Sequence, residues 1–210
     1  MSVKLIAWTG GSLEDARRLI VLAVKTSAGK LGLKSAEHYL RSYSEDDVKS
    51  HVTEAFKYPS VLEHVVFTFL IEGVSRVTSH QLVRHRIASY TQESQRYSAV
   101  EREYVIPDTV VKAGFEGRFR ELMESAYSLY DEMVKAGIPY EDARYVIPQA
   151  VATRMLMTVN LRELIHIACL RLSPHAQWEL RNVVESMVEE ASGVIPELPQ
   201  LLRSSCSDST

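Results

Sequence analysis

The sequence predicts one α+β domain, on three observations. Short β-branched and aromatic runs at residues 3–8, 65–71 and 152–159 read as strands. Apolar residues at three- and four-residue steps, longest over residues 117–135, read as helices. No internal repeat or linker-like stretch divides the 210 residues. A chain this long buries roughly 70% of the surface its unfolded form exposes, so it needs no disulfide or metal staple.

Each element follows from local signals. The first strand stops at Thr9-Gly10-Gly11, and Ser12 with Asp15 makes a partial capping box for a helix reaching about Ser27. Ser44 with Asp47 starts a second, polar helix running to about Lys57. The strand at 65–71 leads into a helix over residues 75–84. The stretch 86–97 that follows is rich in Ser, Thr, Gln and Arg and has no apolar periodicity. Residues 104–106 form a short strand stopped by Pro107. Phe119, Leu122, Met123, Ala126, Leu129, Tyr130 and Met133 mark the apolar stripe of the longest helix, with Gly137 as its C′ residue. A helical turn at 141–145 precedes Pro148. The strand at 152–159 is followed by helices at 161–172 and 175–191, and the domain ends near residue 203 with a small, polar, frayed tail over 204–210.

Composition narrows the function. A formal net charge of -3 argues against a protein that coats nucleic acid or an anionic membrane, although a local basic site remains open. Nothing in the sequence reads as a signal peptide or a membrane helix, which points to a soluble, cytoplasmic protein. Two cysteines, Cys169 and Cys206, are too few for a disulfide framework. The apolar neighbours Ile167, Ala168 and Leu170 suggest a buried, inert thiol at Cys169. No His or Cys spacing suits a metal, and Gly29-Lys30 fails as a phosphate loop because Val24 stands where the leading glycine is needed.

The chemistry concentrates at Arg84-His85-Arg86, Ser89, Ser94 and Arg96, with Gln92 and Gln95 interleaved and Glu93 the one acid. So many cations repel one another unless an anion sits among them, and hydroxyls and amides beside guanidinium forks are what a phosphate needs. The alternative is a solvated, charged turn. A helix extended to His85 would place Gln81, Arg84 and His85 on one face.

The string from Arg84 to Tyr97 resembles the signature of the flavin-dependent thymidylate synthases: Arg-His-Arg, two residues, Ser, four residues, Ser, one residue, Arg. Further blocks resemble the family in the same order. They run from Ser60 to Phe69, at Ala143-Arg144 with Pro148, from Thr158 to Arg162, and from Leu170 to Glu179. The resemblance implies a central, mostly antiparallel sheet flanked by helices. It also implies FAD as cofactor and a homotetramer with shared active sites. The implied reaction converts dUMP to dTMP with methylenetetrahydrofolate as one-carbon donor, NAD(P)H or another reductant, and no cysteine nucleophile. For dUMP it implies Gln81, Arg84, Gln92, Ser94, Gln95, Arg96, Arg144 and Arg171. For FAD it implies Ser60, Glu63, Arg84, His85, Arg86, Gln92, Asn160, Arg162 and His166. Arg171 is then the catalytic cation beside the pyrimidine, a role compatible with capping the C-terminal turn of its helix.

Ser94 reads as a phosphate ligand, since no triad or nucleophile-elbow spacing surrounds it. Tyr58 and Gln92 depart from the family pattern, which has histidine and an acid there in some members. Asn160 and Arg162 would project to the same side of a strand continued through them, whereas His166 and Arg171, five apart on a helix, would not share a face. Two competing readings are a nucleic-acid binder using the arginine loop and an inactive flavoprotein kept for assembly.

Overall fold

The structure is a computed structural model, and it describes residues 1–10 and 15–206. Four strands, β1 (Ser2–Trp8), β2 (Val66–Ser75), β3 (Ala88–Gln92) and β4 (Ala152–Asn160), form one antiparallel sheet in the order β1-β2-β4-β3. The α+β architecture read from the sequence is therefore present. The chain resolves into two compact units whose boundaries fall inside each of the four strands and ahead of β3: residues 1–2, 71–84 and 91–155 in one, and 3–70, 85–90 and 156–206 in the other.

The larger unit carries α1 (Arg17–Ser27), α2 (Ala36–Arg41), α3 (Glu45–Ala55), a 3₁₀ turn (Pro59–His64), α8 (Leu161–Arg171), α9 (Trp178–Ser192) and α10 (Leu198–Cys206). The expected cap at Ser12 lies outside the described residues. Asp15 instead accepts from the backbone N and the Nε of Arg17, 3.0 and 2.9 Å away. Ser44 and Asp47 do form the reciprocal capping box of α3. Ile20, Val21, Val48, Val52, Phe67, Phe69, Val159, Leu164, Ile167, Leu180 and Val184 are among the buried core residues of this unit. Residues 204–206 of the expected polar tail are instead the end of α10, residues 207–210 lie outside the described residues, and Cys206 closes a disulfide with Cys169 on α8. That corrects the reading of Cys169 as a free, buried thiol.

The smaller unit holds α4 (Arg76–Leu82), α5 (Asp108–Lys112), α6 (Glu116–Lys135) and α7 (Tyr140–Ala143). Ser75 caps α4 by accepting from Thr78 N. The buried seam of α6 is Met123, Tyr127 and Tyr130, whereas Leu122 and Leu129 of the expected stripe are 61% and 47% exposed. Met123 and Tyr127 pack with Val151, Tyr104 and Phe119, and the Tyr127 hydroxyl donates to Glu103 O at 2.9 Å. The expected strand at 104–106 reduces to a single bridge between Tyr104 and Val151. Gly137 does end α6 with a left-handed φ of 87°, a conformation glycine adopts without strain.

Candidate active site

The residues singled out in the sequence divide between the two units. The smaller unit contains every residue assigned to dUMP except Arg171, namely Gln81, Arg84, Gln92, Ser94, Gln95, Arg96 and Arg144. The larger contains Arg171 and every FAD residue except Arg84 and Gln92.

In the smaller unit α4 ends at Leu82, so Arg84 is exposed beyond the helix and the shared helical face with Gln81 and His85 does not form. The stretch without apolar periodicity contains β3, which ends at Gln92. The Gln92 amide donates to the hydroxyls of Ser79, 3.0 Å, and Thr153, 3.2 Å. A neutral amide thus ties β3 to α4 and β4. Just past the strand, the Ser94 hydroxyl accepts from Arg96 N at 3.1 Å, Arg96 pairs with the Glu141 carboxylate, and the Arg144 Nε donates to Glu141 O at 3.1 Å. Gln95 is half-buried between exposed Ser94 and Arg96.

Arg76, at the first position of α4, escaped the sequence reading. Its Nη2 donates to Glu93 O at 3.2 Å, but its Nε is buried without a partner among the described residues. Burial, and then the charge of Arg144, hold the Arg76 guanidinium below its ordinary basicity. Two like charges and an unsatisfied buried donor make a site that an anion would relieve. The signal in the sequence was a lone arginine directly after the apolar strand, among the small and uncharged residues Gly73, Val74, Ser75, Val77, Thr78 and Ser79.

In the larger unit β4 ends at Asn160, so Arg162 sits in the first turn of α8 and not on a continued strand. The two still converge, because Asn160, Arg162, Glu63, Ile87, Glu163 and His166 line one cavity of about 360 Å³. Arg162 donates to Glu63 at 2.5 Å. The Asn160 Oδ1 accepts from Glu163 N at 2.9 Å and caps α8. Ser60 lines a separate, mainly apolar cavity of about 430 Å³ with Leu19, Leu22, Ala23, Val61 and His64. Arg86 is exposed.

His85 is the centre of this half. It is 6% exposed, accepts from the Arg171 Nε at 3.0 Å, and lies edge-on to the His166 ring at 6.3 Å. His166 and Arg171, expected on different faces of α8, both meet His85. Burial, then the Arg171 charge, then His166, push the imidazole down to about 4, so it is neutral near pH 7. The Tyr90 hydroxyl donates to His85 O at 2.9 Å and is itself pushed up by burial and by the Glu163 charge. Ligand atoms of His85, Glu163 and His166 lie within 4.8 Å of one another, a cation-like spacing. A guanidinium bonded to His85 already supplies positive charge there, and we assign no metal to it.

The donor set of the cavity fits a flavin nucleotide. Arg162, held on Glu63, is the one guanidinium of a described lining that also carries the Glu63 and Glu163 carboxylates, Asn160 and His166 offer polar edges, and Ile87 offers an apolar face.

Residues 4–197 match the family described as thymidylate synthase complementing protein. The chain is 38% identical over 212 residues to the flavin-dependent thymidylate synthase of Sulfurisphaera tokodaii, covering 98% of this chain and 79% of that protein. It is 41% identical to that of Saccharolobus solfataricus, over 94% and 75% of the two chains. To that of Pyrococcus abyssi it is 50% identical over 155 residues, 70% of this chain and 64% of that one. Among solved structures, a UMP/dUMP methylase PolB from Streptomyces cacaoi bound with 5-Br dUMP shares the fold. Its TM-score is 0.84 at 22% identity, over 97% of this chain and 94% of that one.

Proposed function

We infer that this chain, which belongs to the thymidylate synthase complementing protein family, methylates dUMP reductively to dTMP as a flavin-dependent thymidylate synthase. The observation that carries the reading is a family match over residues 4–197 in which every fixed position of the Arg84–Arg96 signature is filled. The arginine loop on a nucleic-acid backbone is set aside, because it leaves the Arg144 and Arg171 blocks and the net charge of -3 unexplained.

FAD, when bound and reduced by NAD(P)H or another reductant, would supply the hydride that reduces the transferred one-carbon unit. The protein's own part is to bind, orient and stabilise charge. We assign Glu63, His85, Arg86, Asn160, Arg162 and His166, together with Ser60, Arg84 and Gln92, to FAD. Asn160 spends its carbonyl on the helix cap and keeps its amide for the cavity. Gln81, Arg84, Gln92, Ser94, Gln95, Arg96 and Arg144 are assigned to dUMP, with the phosphate on Ser94, Gln95, Arg96 and Arg144. Arg76 is added to the phosphate set for its unsatisfied buried Nε.

For the uracil C5 to attack a one-carbon donor, negative charge must develop over N3 and O4. A fixed guanidinium stabilises that charge in a site already free of water reorganisation. Arg171 is assigned this role. Its Nε is committed to His85, while its two terminal amino groups make no hydrogen bond among the described residues. The synthase domain is taken to run through α10 to Cys206, past the boundary expected at residue 203, acting as a homotetramer with shared sites, with methylenetetrahydrofolate as donor and NAD(P)H or another reductant, in the cytoplasm. No helix among the described residues is long and apolar enough to cross a membrane.

The test is product formation. Purified protein loaded with FAD, reduced with NADPH or dithionite and given dUMP and methylenetetrahydrofolate is expected to form dTMP, read by chromatography. Flavin-loaded protein that forms no dTMP would overturn the reading.

A further inference from the structure

Arg171 has only donors, so its Nε–H contact requires the His85 Nε2 to be the acceptor. A neutral imidazole then carries its proton on Nδ1. That nitrogen faces Glu163 Oε1, 3.7 Å away. The separation is too long for a hydrogen bond and the ring is neutral, so the carboxylate acts on the N–H dipole. Glu163 is 6% exposed, an uncommon place for a carboxylate that no Lys or Arg pairs among the described residues. Its backbone is held by the Asn160 cap, which sets where the side chain leaves α8. The ionisable groups facing His85 are Glu163, His166 and Arg171, and the Tyr90 hydroxyl holds its carbonyl.

We propose that Glu163 is a positioning residue: its carboxylate selects the His85 tautomer whose Nε2 accepts from Arg171, and so fixes the guanidinium that faces the pyrimidine. The chain of contacts runs Glu163–His85–Arg171, and only its last member touches substrate. The proposal rests on the assignment of Arg171 made above. The opposite tautomer would put an N–H against the Arg171 Nε–H, break the contact and leave the guanidinium to swing.

Glu163→Gln, made in the FAD-loaded full chain, removes the charge and keeps the shape. Three quantities are read: flavin content, kcat and KM for dUMP, and the ¹⁵N signals of the His85 ring, assigned by their loss in His85→Asn. The expected result is a kcat lower by about 10- to 100-fold, the usual consequence of losing an outer orienting partner. Flavin content is retained, KM for dUMP changes little, and the His85 proton moves off Nδ1. Glu163→Asp keeps the charge and should recover part of the kcat and of the Nδ1–H signal. If Glu163→Gln does not fold, the ring signals of Glu163→Asp decide. Unchanged kcat, unchanged ring signals, or loss of flavin with Glu163→Gln overturns the proposal. Wild-type protein that forms no dTMP overturns the enzymatic reading instead, and the ring signals still test the Glu163–His85 contact.

Discussion

Reducing the Cys169–Cys206 disulfide should be the largest single loss of stability available without touching the core. The bond links α8 to α10 across 37 residues of sequence and so encloses all of α9. By loop-closure entropy, cross-linking a loop of that length destabilises the unfolded chain by about 4 kcal/mol at 25 °C. For a chain of this size each kcal/mol moves Tm by about 2–4 °C, so Cys206→Ser should lower Tm by roughly 8–16 °C. The assay is thermal unfolding of wild type, dithiothreitol-treated wild type and Cys206→Ser, at one protein and one FAD concentration because both shift apparent stability. Dithiothreitol should lower wild type to the variant's Tm and leave the variant unchanged. Equal Tm values for all three would refute the reasoning and mean that α10 is held by Leu198, Leu201 and Leu202 alone.

Three further outcomes follow from the site. Arg76→Met should raise KM for dUMP by about 10- to 100-fold, the worth of a charge-assisted hydrogen bond of about 1.5–3 kcal/mol, and leave flavin content unchanged; an unchanged KM removes Arg76 from the phosphate set. Ser94→Ala should weaken dUMP binding by calorimetry and keep measurable turnover, whereas a dUMP adduct trapped on Ser94 would make it a nucleophile. His85 is held down to about 4 in the folded chain against about 6.5 unfolded, so the unfolded chain takes up the proton first as pH falls. Its contribution is fully present above pH 6.5 and is lost as pH falls towards 4, on the order of 1–3 kcal/mol in urea unfolding; His85→Asn should flatten that window.

The sequence made the long elements legible and hid the contacts between them. β2, α6, β4 and α8 were readable because their apolar periods are long and unambiguous. β3 was missed because it lies at the sheet edge, where Ala-Ser-Tyr-Thr-Gln needs no apolar alternation. α10 went unread: its buried leucines Leu198, Leu201 and Leu202 cover barely one turn, Pro199 stands in the first turn, where proline is tolerated, and its last residues fall in the polar stretch read as a tail. The α6 stripe included Met123 and Tyr130 of the buried seam but took in exposed Leu122 and Leu129 and left out Tyr127, because leucine outranks tyrosine in apolarity, although the tyrosines find partners for their hydroxyls. For the site, the Arg84–Arg96 cluster stood out by charge alone. The Arg171–His85 bond joins positions 86 residues apart, Glu163 reads as an ordinary acid in a first helical turn, and the cysteine pairing has no spacing signal.

The central claim is that Arg171 stabilises charge on the pyrimidine, and a single turnover tests it most directly. FAD-loaded wild type and Arg171→Ala are each reduced anaerobically, mixed with dUMP and methylenetetrahydrofolate, and quenched at intervals to measure dTMP formed per flavin. Wild type should form dTMP, and Arg171→Ala should hold its flavin but form dTMP slower by about two to three powers of ten, the cost of about 3–4 kcal/mol for one lost preorganised donor. Wild-type rates in Arg171→Ala would contradict the account, and loss of flavin in the variant would move Arg171 from the chemistry to the cofactor.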